Sequence, residues 1–152
     1  MTLIRRTGSL LALTLSLACS SDRMLVPKEG LRFAFAQNQC GPADGPAMAI
    51  FLTRDPTNGP PAVAPYTRIY IDLSSSALDG RAHSVGPGSP DAVATFNRTD
   101  TDYELASSGY VTAKYSSADK TISGLADIIF TSAGHLVTTF DAPVFPMAGL
   151  CP

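Results

Sequence analysis

The stretch that decides the fold spans residues 109–144 and reads GYVTAKYSSADKTISGLADIIFTSAGHLVTTFDAPV. Three runs within it, at 109–115, 121–131 and 136–144, are rich in β-branched, aromatic and apolar residues. The two segments that join them are short, and they contain Asp or Gly. Such spacing is typical of sequential antiparallel hairpins. The C-terminal third therefore predicts a three-stranded β-meander.

Further strand signals lie upstream of this meander. Residues 66–73 (YTRIYIDL) alternate between an apolar and a polar face, which is the pattern of a half-buried antiparallel strand. Residues 92–96 could start a helix capped by Ser89, but no helical stripe extends beyond them, so we favour a strand. The other predicted strands are 31–37, 47–53 and 81–85. About eight short strands predict an all-β domain, either an antiparallel β-sandwich or a small barrel.

A proline-rich segment separates two of these strands. Residues 55–65 (DPTNGPPAVAP) contain four prolines and an Asn-Gly pair, so they cannot join the middle of a sheet. A loop of this length in a small domain is often functional or mobile. The preceding strand, 47–53 (AMAIFLT), is almost entirely apolar, which indicates burial on both of its faces.

The N-terminus has the pattern of a secretory signal peptide. Arg5 and Arg6 precede an uncharged, leucine-rich run at 7–18, which is too short to span a membrane as a helix. We therefore expect a signal peptide at 1–18, a lipidated N-terminus and tether at 19–30, and a single β domain at 31–152.

Residues 15–19 (LSLAC) resemble the lipobox of bacterial lipoproteins. The resemblance implies cleavage before Cys19 and attachment of a lipid to its sulfur, with Ser20 at the next position implying the outer membrane. Ser16 departs from the favoured leucine at its position, and Ser16 with Ala18 also fits ordinary signal peptidase. That alternative implies a periplasmic or secreted, unlipidated protein.

The cysteine count favours lipidation. The chain has three cysteines, Cys19, Cys40 and Cys151, and an odd number in an exported protein requires a modified, free or intermolecular thiol. If Cys19 carries lipid, Cys40 and Cys151 remain as a pair. We expect them to form a disulfide in an oxidising compartment. Two unpaired buried thiols remain the alternative.

Composition excludes some partners. Removal of Arg5 and Arg6 leaves nine basic residues against 13 acidic ones, so the mature chain carries a net charge of about −4. No cluster of Lys and Arg remains, which argues against nucleic acid as a partner. The expected partner is the membrane, through the N-terminal lipid, while the protein or small-molecule partner stays unidentified.

Few residues indicate chemistry, and we predict neither a cofactor nor a catalytic residue. The alternating carboxylates of Asp100, Asp102 and Glu104 are a candidate Ca²⁺ site, although a solvated turn explains them better. Tyr66 and Tyr70, on the polar face of one strand, are a candidate stacking patch for a ligand.

Two isolated histidines, His83 and His135, carry no catalytic motif, and no G-x-S-x-G elbow is present. The C-terminal hairpins also loosely resemble those of small bacterial envelope proteins, which implies no activity. We therefore expect a lipid-anchored envelope protein that acts as a binding or structural module rather than an enzyme. The alternatives are a small exported hydrolase-like enzyme and a secreted, ligand-carrying β-barrel.

Overall fold

The computed structural model describes residues 30–40, 46–57, 59–72 and 78–146, which form eight β-strands and no helix. None of these residues therefore belongs to a helix long and apolar enough to cross a membrane. The strands are β1 (Phe33–Cys40), β2 (Pro46–Thr53), β3 (Tyr66–Asp72), β4 (Asp79–Ser84), β5 (Ala92–Asn97), β6 (Tyr103–Ser116), β7 (Thr121–Phe130) and β8 (Gly134–Phe145). The predicted all-β class is confirmed.

Seven of the strands close into a barrel in the order β6, β5, β3, β2, β1, β8, β7, with β7 pairing back to β6. The predicted meander is confirmed, because β6 pairs antiparallel with β7 and β7 with β8 over about ten residues each. β4 lies outside the ring and pairs only with β6, from Asp79↔Lys114 to Ser84↔Tyr110.

The closed barrel corrects the expectation of a purely antiparallel sheet. β1 and β8 run parallel through the pairs Ala36↔Val144 and Gln37↔Phe145. A ring with an odd number of strands cannot alternate direction at every step, so at least one neighbouring pair has to be parallel. The sequence predicts about eight strands in a sandwich or a small barrel, and a ring of eight could be antiparallel throughout. Because β4 lies outside the ring, the ring has seven strands and includes a parallel pair.

Apolar side chains from alternate positions of the strands fill the barrel interior. On β2 these are Met48, Ile50 and Leu52. On β3 they are Ile69 and Ile71, as the alternation of 66–73 predicts. The meander and β5 contribute further buried side chains, among them Ala94, Phe96, Val111, Ala113, Ile122, Ala126, Ile128, Leu136, Phe140 and Ala142. Burial of this kind contributes about 25 cal/mol for each Å² of apolar surface, and it is the main stabilising term of the fold.

A second, smaller core lies on the outer face of β1–β3. It contains Phe35, Ala49, Phe51 and Tyr66, and the rings of Phe35 and Phe51 stack with centroids 4.7 Å apart. Ala62 and Ala64 of the proline-rich segment pack against this cluster, as does Phe145. The segment therefore covers β2 from outside, which explains the predicted burial of that strand on both faces.

Several sequence-based predictions concern residues outside the described ranges. These are the signal peptide at 1–18, the lipidated Cys19 with all but the end of the tether at 19–30, and Cys151. Cys40 is described, and it is the last residue of β1.

Candidate ligand-binding groove

An open groove of about 990 Å³ lies on the outer surface of the barrel. Its floor is the outer face of β1–β3, one wall is the proline-rich segment, and the other is the turn between β5 and β6. The lining residues are Gln37, Gln39, Phe51, Pro60, Pro61, Ala62, Val63, Ala64, Tyr66, Arg68, Arg98, Thr99 and Asp100. Its volume is at the upper end of the range of about 300–1,000 Å³ found for small-molecule sites.

The proline-rich wall is held by contacts at both ends. At one end Gly59 adopts φ +127°, and a Cβ there would lie 2.7 Å from Cε1 of Phe145, so the backbone and the ring are in close contact. At the other end Tyr66 begins β3, and its ring centroid lies 5.8 Å from that of Phe51. The peptide bonds Pro60–Pro61 and Ala64–Pro65 between these ends are cis.

Arg68 lies on the groove floor at the middle of β3. Its cross-strand neighbours are Phe51 on β2 and Thr95 on β5, both facing outward. The guanidinium carbon lies 4.7 Å from the ring centroid of Tyr70, which is a cation–π contact. Arg68 Nε is buried without a hydrogen-bond acceptor, and none of the ion pairs among the described residues includes Arg68.

Arg98 lies on the opposite wall, and its charge is already compensated. Its Nη2 donates to Glu104 Oε2 at 2.7 Å, and its Nη1 lies 3.6 Å from Asp102 Oδ1. Arg98 Nη2 and Ser132 Oγ are also in hydrogen-bond contact. Arg98 therefore joins the β5–β6 turn to the β7–β8 turn and adds little net charge to the groove.

Glu104 is the centre of this junction. The backbone amides of Ser132 and Ala133 donate to its two oxygens at 2.7 and 3.2 Å, and Ser132 Oγ donates as well. Burial alone would raise the pKa of Glu104, but the hydrogen bonds from Ser132, Arg98 and Ala133 outweigh it and lower the pKa below its ordinary value. The carboxylate is thus held ionised, as a structural clamp between two turns.

The three carboxylates of the candidate Ca²⁺ site do not act together. Glu104 and Asp102 pair with Arg98, whereas Asp100 lines the groove. Within the described ranges, no group of three or more His, Cys, Asp or Glu side chains is arranged to hold a metal ion. Their alternation reflects a tight turn and the start of β6, which begins at Tyr103 rather than at the predicted residue 109.

The two candidate stacking tyrosines lie on the expected face of β3 but are covered. Tyr66 is 9 % exposed and packs on Phe51, and Tyr70 lies against the guanidinium of Arg68. Tyr66 lines the groove, whereas Tyr70 supports Arg68 from the side. Neither ring is an open platform in this arrangement.

Each histidine pairs with carboxylates away from the groove. His135 Nε2 lies 2.6 Å from Asp127 Oδ1, on β8 and β7. The ring of His83 lies between two carboxylates. Its Nε2 is 3.5 Å from Oδ1 of Asp79, and its Nδ1 is 3.4 Å from Oδ2 of Asp91. In the described part of the chain, no hydrogen bond joins either imidazole to a Ser, Thr or Cys side chain, as nucleophilic catalysis by a triad would require.

Sequence reasoning missed Arg68 and the groove itself. One signal was present, because the apolar strand at 47–53 requires a cover on both faces and the proline-rich segment follows it directly. What the sequence lacks is the register that places Phe51 beside Arg68. No known protein family, curated protein or solved structure matches the chain.

Proposed function

We propose that the protein is a lipid-anchored envelope protein whose barrel acts as a binding module, with the ligand held in the outer groove. The observation that carries this proposal is the groove between the proline-rich segment and the outer face of β1–β3. It combines one apolar wall, the proline-rich segment, with polar groups on the floor and on the opposite wall. Small-molecule sites usually combine apolar surface with placed polar groups in this way.

The outer groove supports binding better than the barrel interior does. The interior is occupied by large side chains that are essentially inaccessible, such as Ile50, Ile69, Ile122 and Ile128. A ligand-carrying barrel would need an apolar cavity there. Since neither histidine is joined to a nucleophile in the described part, binding is also the better-supported alternative to a hydrolase.

The sequence supports the membrane anchor. Residues 15–19 resemble a lipobox, and lipidation of Cys19 would leave an even number of cysteines. A lipid on Cys19 would tether the barrel through the short polar segment that precedes Leu31. Replacement of Cys19 by Ala should therefore move the protein from the membrane fraction to the soluble exported fraction, and unchanged fractionation would contradict the anchor.

The register of β1 and β8 supports a disulfide between Cys40 and Cys151. The two strands run parallel and therefore end at the same side of the barrel. Gln37, three residues before Cys40, donates through Nε2 to the carbonyl oxygen of Pro146 at 3.2 Å. The last described residue thus lies beside β1, five residues before Cys151, so a bridge between the two cysteines requires no long excursion of the chain.

A groove-filling substitution tests the binding function. Asp100 is exposed at the groove wall, so Asp100→Trp should fill part of the groove without disturbing the core. Asp141→Trp on the exposed face of β8 is the matched control. In a fragment screen by ligand-observed NMR, hits of the wild-type protein should be lost in Asp100→Trp and kept in Asp141→Trp. Hits that survive in both variants would place binding elsewhere.

A further inference from the structure

The ligand class follows from the unpaired guanidinium of Arg68, and this inference rests on the proposed binding function. Arg68 lies on the floor without a carboxylate partner among the described residues. A buried N–H group without an acceptor is uncommon in folded proteins, because leaving one costs about as much as losing a hydrogen bond. The buried Arg68 Nε is such a group. Arg68 in the groove therefore lacks a hydrogen-bond acceptor, which a ligand would supply.

The surroundings of Arg68 hold the guanidinium in place for a ligand. The Arg68 guanidinium carbon lies 4.7 Å from the centroid of the Tyr70 ring, which supports it. Strand β3 is itself fixed by hydrogen-bonded pairing with β2 on one side and β5 on the other. A guanidinium with a fixed plane is suited to an oxyanion, because its N–H groups match the two oxygens of a carboxylate.

Arg68 itself, rather than the charge summed over the groove, favours a single negative charge on the ligand, because Arg68 and Asp100 cancel in that sum. Arg98 is compensated by Glu104 and Asp102, while Asp100 adds a negative charge at the wall. Arg68 is therefore the one uncompensated cation in the described groove lining. A phosphate dianion would be matched poorly by one arginine, whereas a carboxylate monoanion is matched well.

The rest of the groove is suited to an apolar body. Pro60, Pro61 and Val63 on the wall present exposed carbon surface beside Arg68, above the largely buried rings of Phe51 and Tyr66. We infer that the groove binds small organic carboxylates, with the carboxylate on Arg68 and an apolar portion against the proline-rich segment.

Octanoate, octylamine and inorganic phosphate are the probes for this inference, each titrated calorimetrically into the protein produced from the full chain. Octanoate should bind, while octylamine and phosphate should not. Arg68→Gln should weaken octanoate binding at least about tenfold, because hydrogen bonds to charged groups contribute that much or more. Arg81→Gln is the matched control, since Arg81 is an exposed arginine on β4, outside the groove.

A second pair of variants keeps the test valid if Arg68→Gln fails to fold. Val63 is 78 % exposed on the groove wall, so a charge placed there should not disturb packing. Val63→Asp should weaken octanoate binding and Val63→Lys should tighten it. Equal affinities for both variants would overturn the inference.

The outcomes separate this inference from the binding function itself. Octylamine binding that Asp100→Trp abolishes would keep the groove as a binding site and refute the carboxylate. Octanoate binding that Arg68→Gln leaves unchanged would refute Arg68 as the anion site. If none of the probes binds, the carboxylate inference is wrong, and fragment hits lost in Asp100→Trp would still decide the binding function.

Discussion

At the scale of the residue, Glu104 joins two turns that lie far apart in the sequence. It holds Arg98 of the β5–β6 turn and the backbone of the β7–β8 turn at once. We expect Glu104→Gln to lower the free energy of unfolding by about 1.5–3 kcal/mol, the range for losing hydrogen bonds to a charged group. Chemical denaturation at neutral pH measures this. Asp102→Asn, which alters only the 3.6 Å contact with Arg98, is the control and should change stability far less.

The lowered pKa of Glu104 predicts the pH dependence of stability. Because the folded pKa lies below the unfolded value of about 4.5, the carboxylate stabilises the fold fully above that value. This contribution is lost as the pH falls through the lower, folded pKa. Denaturation series between pH 7 and pH 3 should therefore show a smaller loss of stability for Glu104→Gln than for the wild type. Parallel curves would contradict the role of Glu104.

At position 124 the barrel has no room for a side chain, and the residue there is glycine. A Cβ at this position would overlap the carbonyl oxygen of Thr112 and lie 2.8 Å from Cζ of Phe140. Gly124→Ala should therefore cost about 3 kcal/mol or more, since overpacking moves both the sheet and the ring. Ser123→Ala, on the exposed face of the same strand, should stay within about 0.5 kcal/mol. Thermal unfolding of the two variants compares them directly.

At the scale of the element, the proline-rich segment depends on Phe145 for its position. The backbone at Gly59 touches that ring, and the ring packs edge-on against Phe35 with centroids 6.1 Å apart. Phe145→Ala should release the segment, so amide hydrogen exchange at Gly59, Ala62 and Val63 should accelerate, with about 1–3 kcal/mol lost in stability. Phe33→Ala, at a ring 42 % exposed, is the control and should leave the exchange unchanged.

The strands could be predicted from the sequence more completely than the site. Alternation assigned the interior face of β3 correctly, and the apolar run at 47–53 predicted a strand buried on both faces. The same reasoning treated Tyr66 and Tyr70 as members of an open polar face. Alternation reports which residues share a face but not what covers that face, and the cover here is a loop without periodicity. Arg68 lines a groove because this loop covers part of the same face.

At the scale of the whole molecule, closure of the barrel depends on the pairing of β1 with β8. Only two residue pairs form this parallel contact, Ala36↔Val144 and Gln37↔Phe145. Hairpin signals predicted the meander because its partners are adjacent in sequence. The β1–β8 pairing joins strands more than 100 residues apart, and no local pattern encodes it. The parallel direction follows only when the number of strands in the ring is known.

The proposed disulfide would secure this closing contact. Removing it by Cys151→Ala should lower the free energy of unfolding by about 4–5 kcal/mol, the chain-entropy value for a loop of roughly 100 residues. The double variant Cys40→Ala with Cys151→Ala should be about as stable as the single one. Strictly additive losses in denaturation experiments would show that the two cysteines act independently.

The anchor and the disulfide together form the central claim about the whole molecule, and one measurement addresses both. It is the intact mass of the protein from membranes of a bacterium that expresses the full chain, before and after reduction and thiol alkylation. We expect a polypeptide that begins at Cys19 with two or three acyl chains, and two thiols that become reactive only after reduction. An unlipidated chain, or thiols at Cys40 and Cys151 that react without reduction, would contradict it.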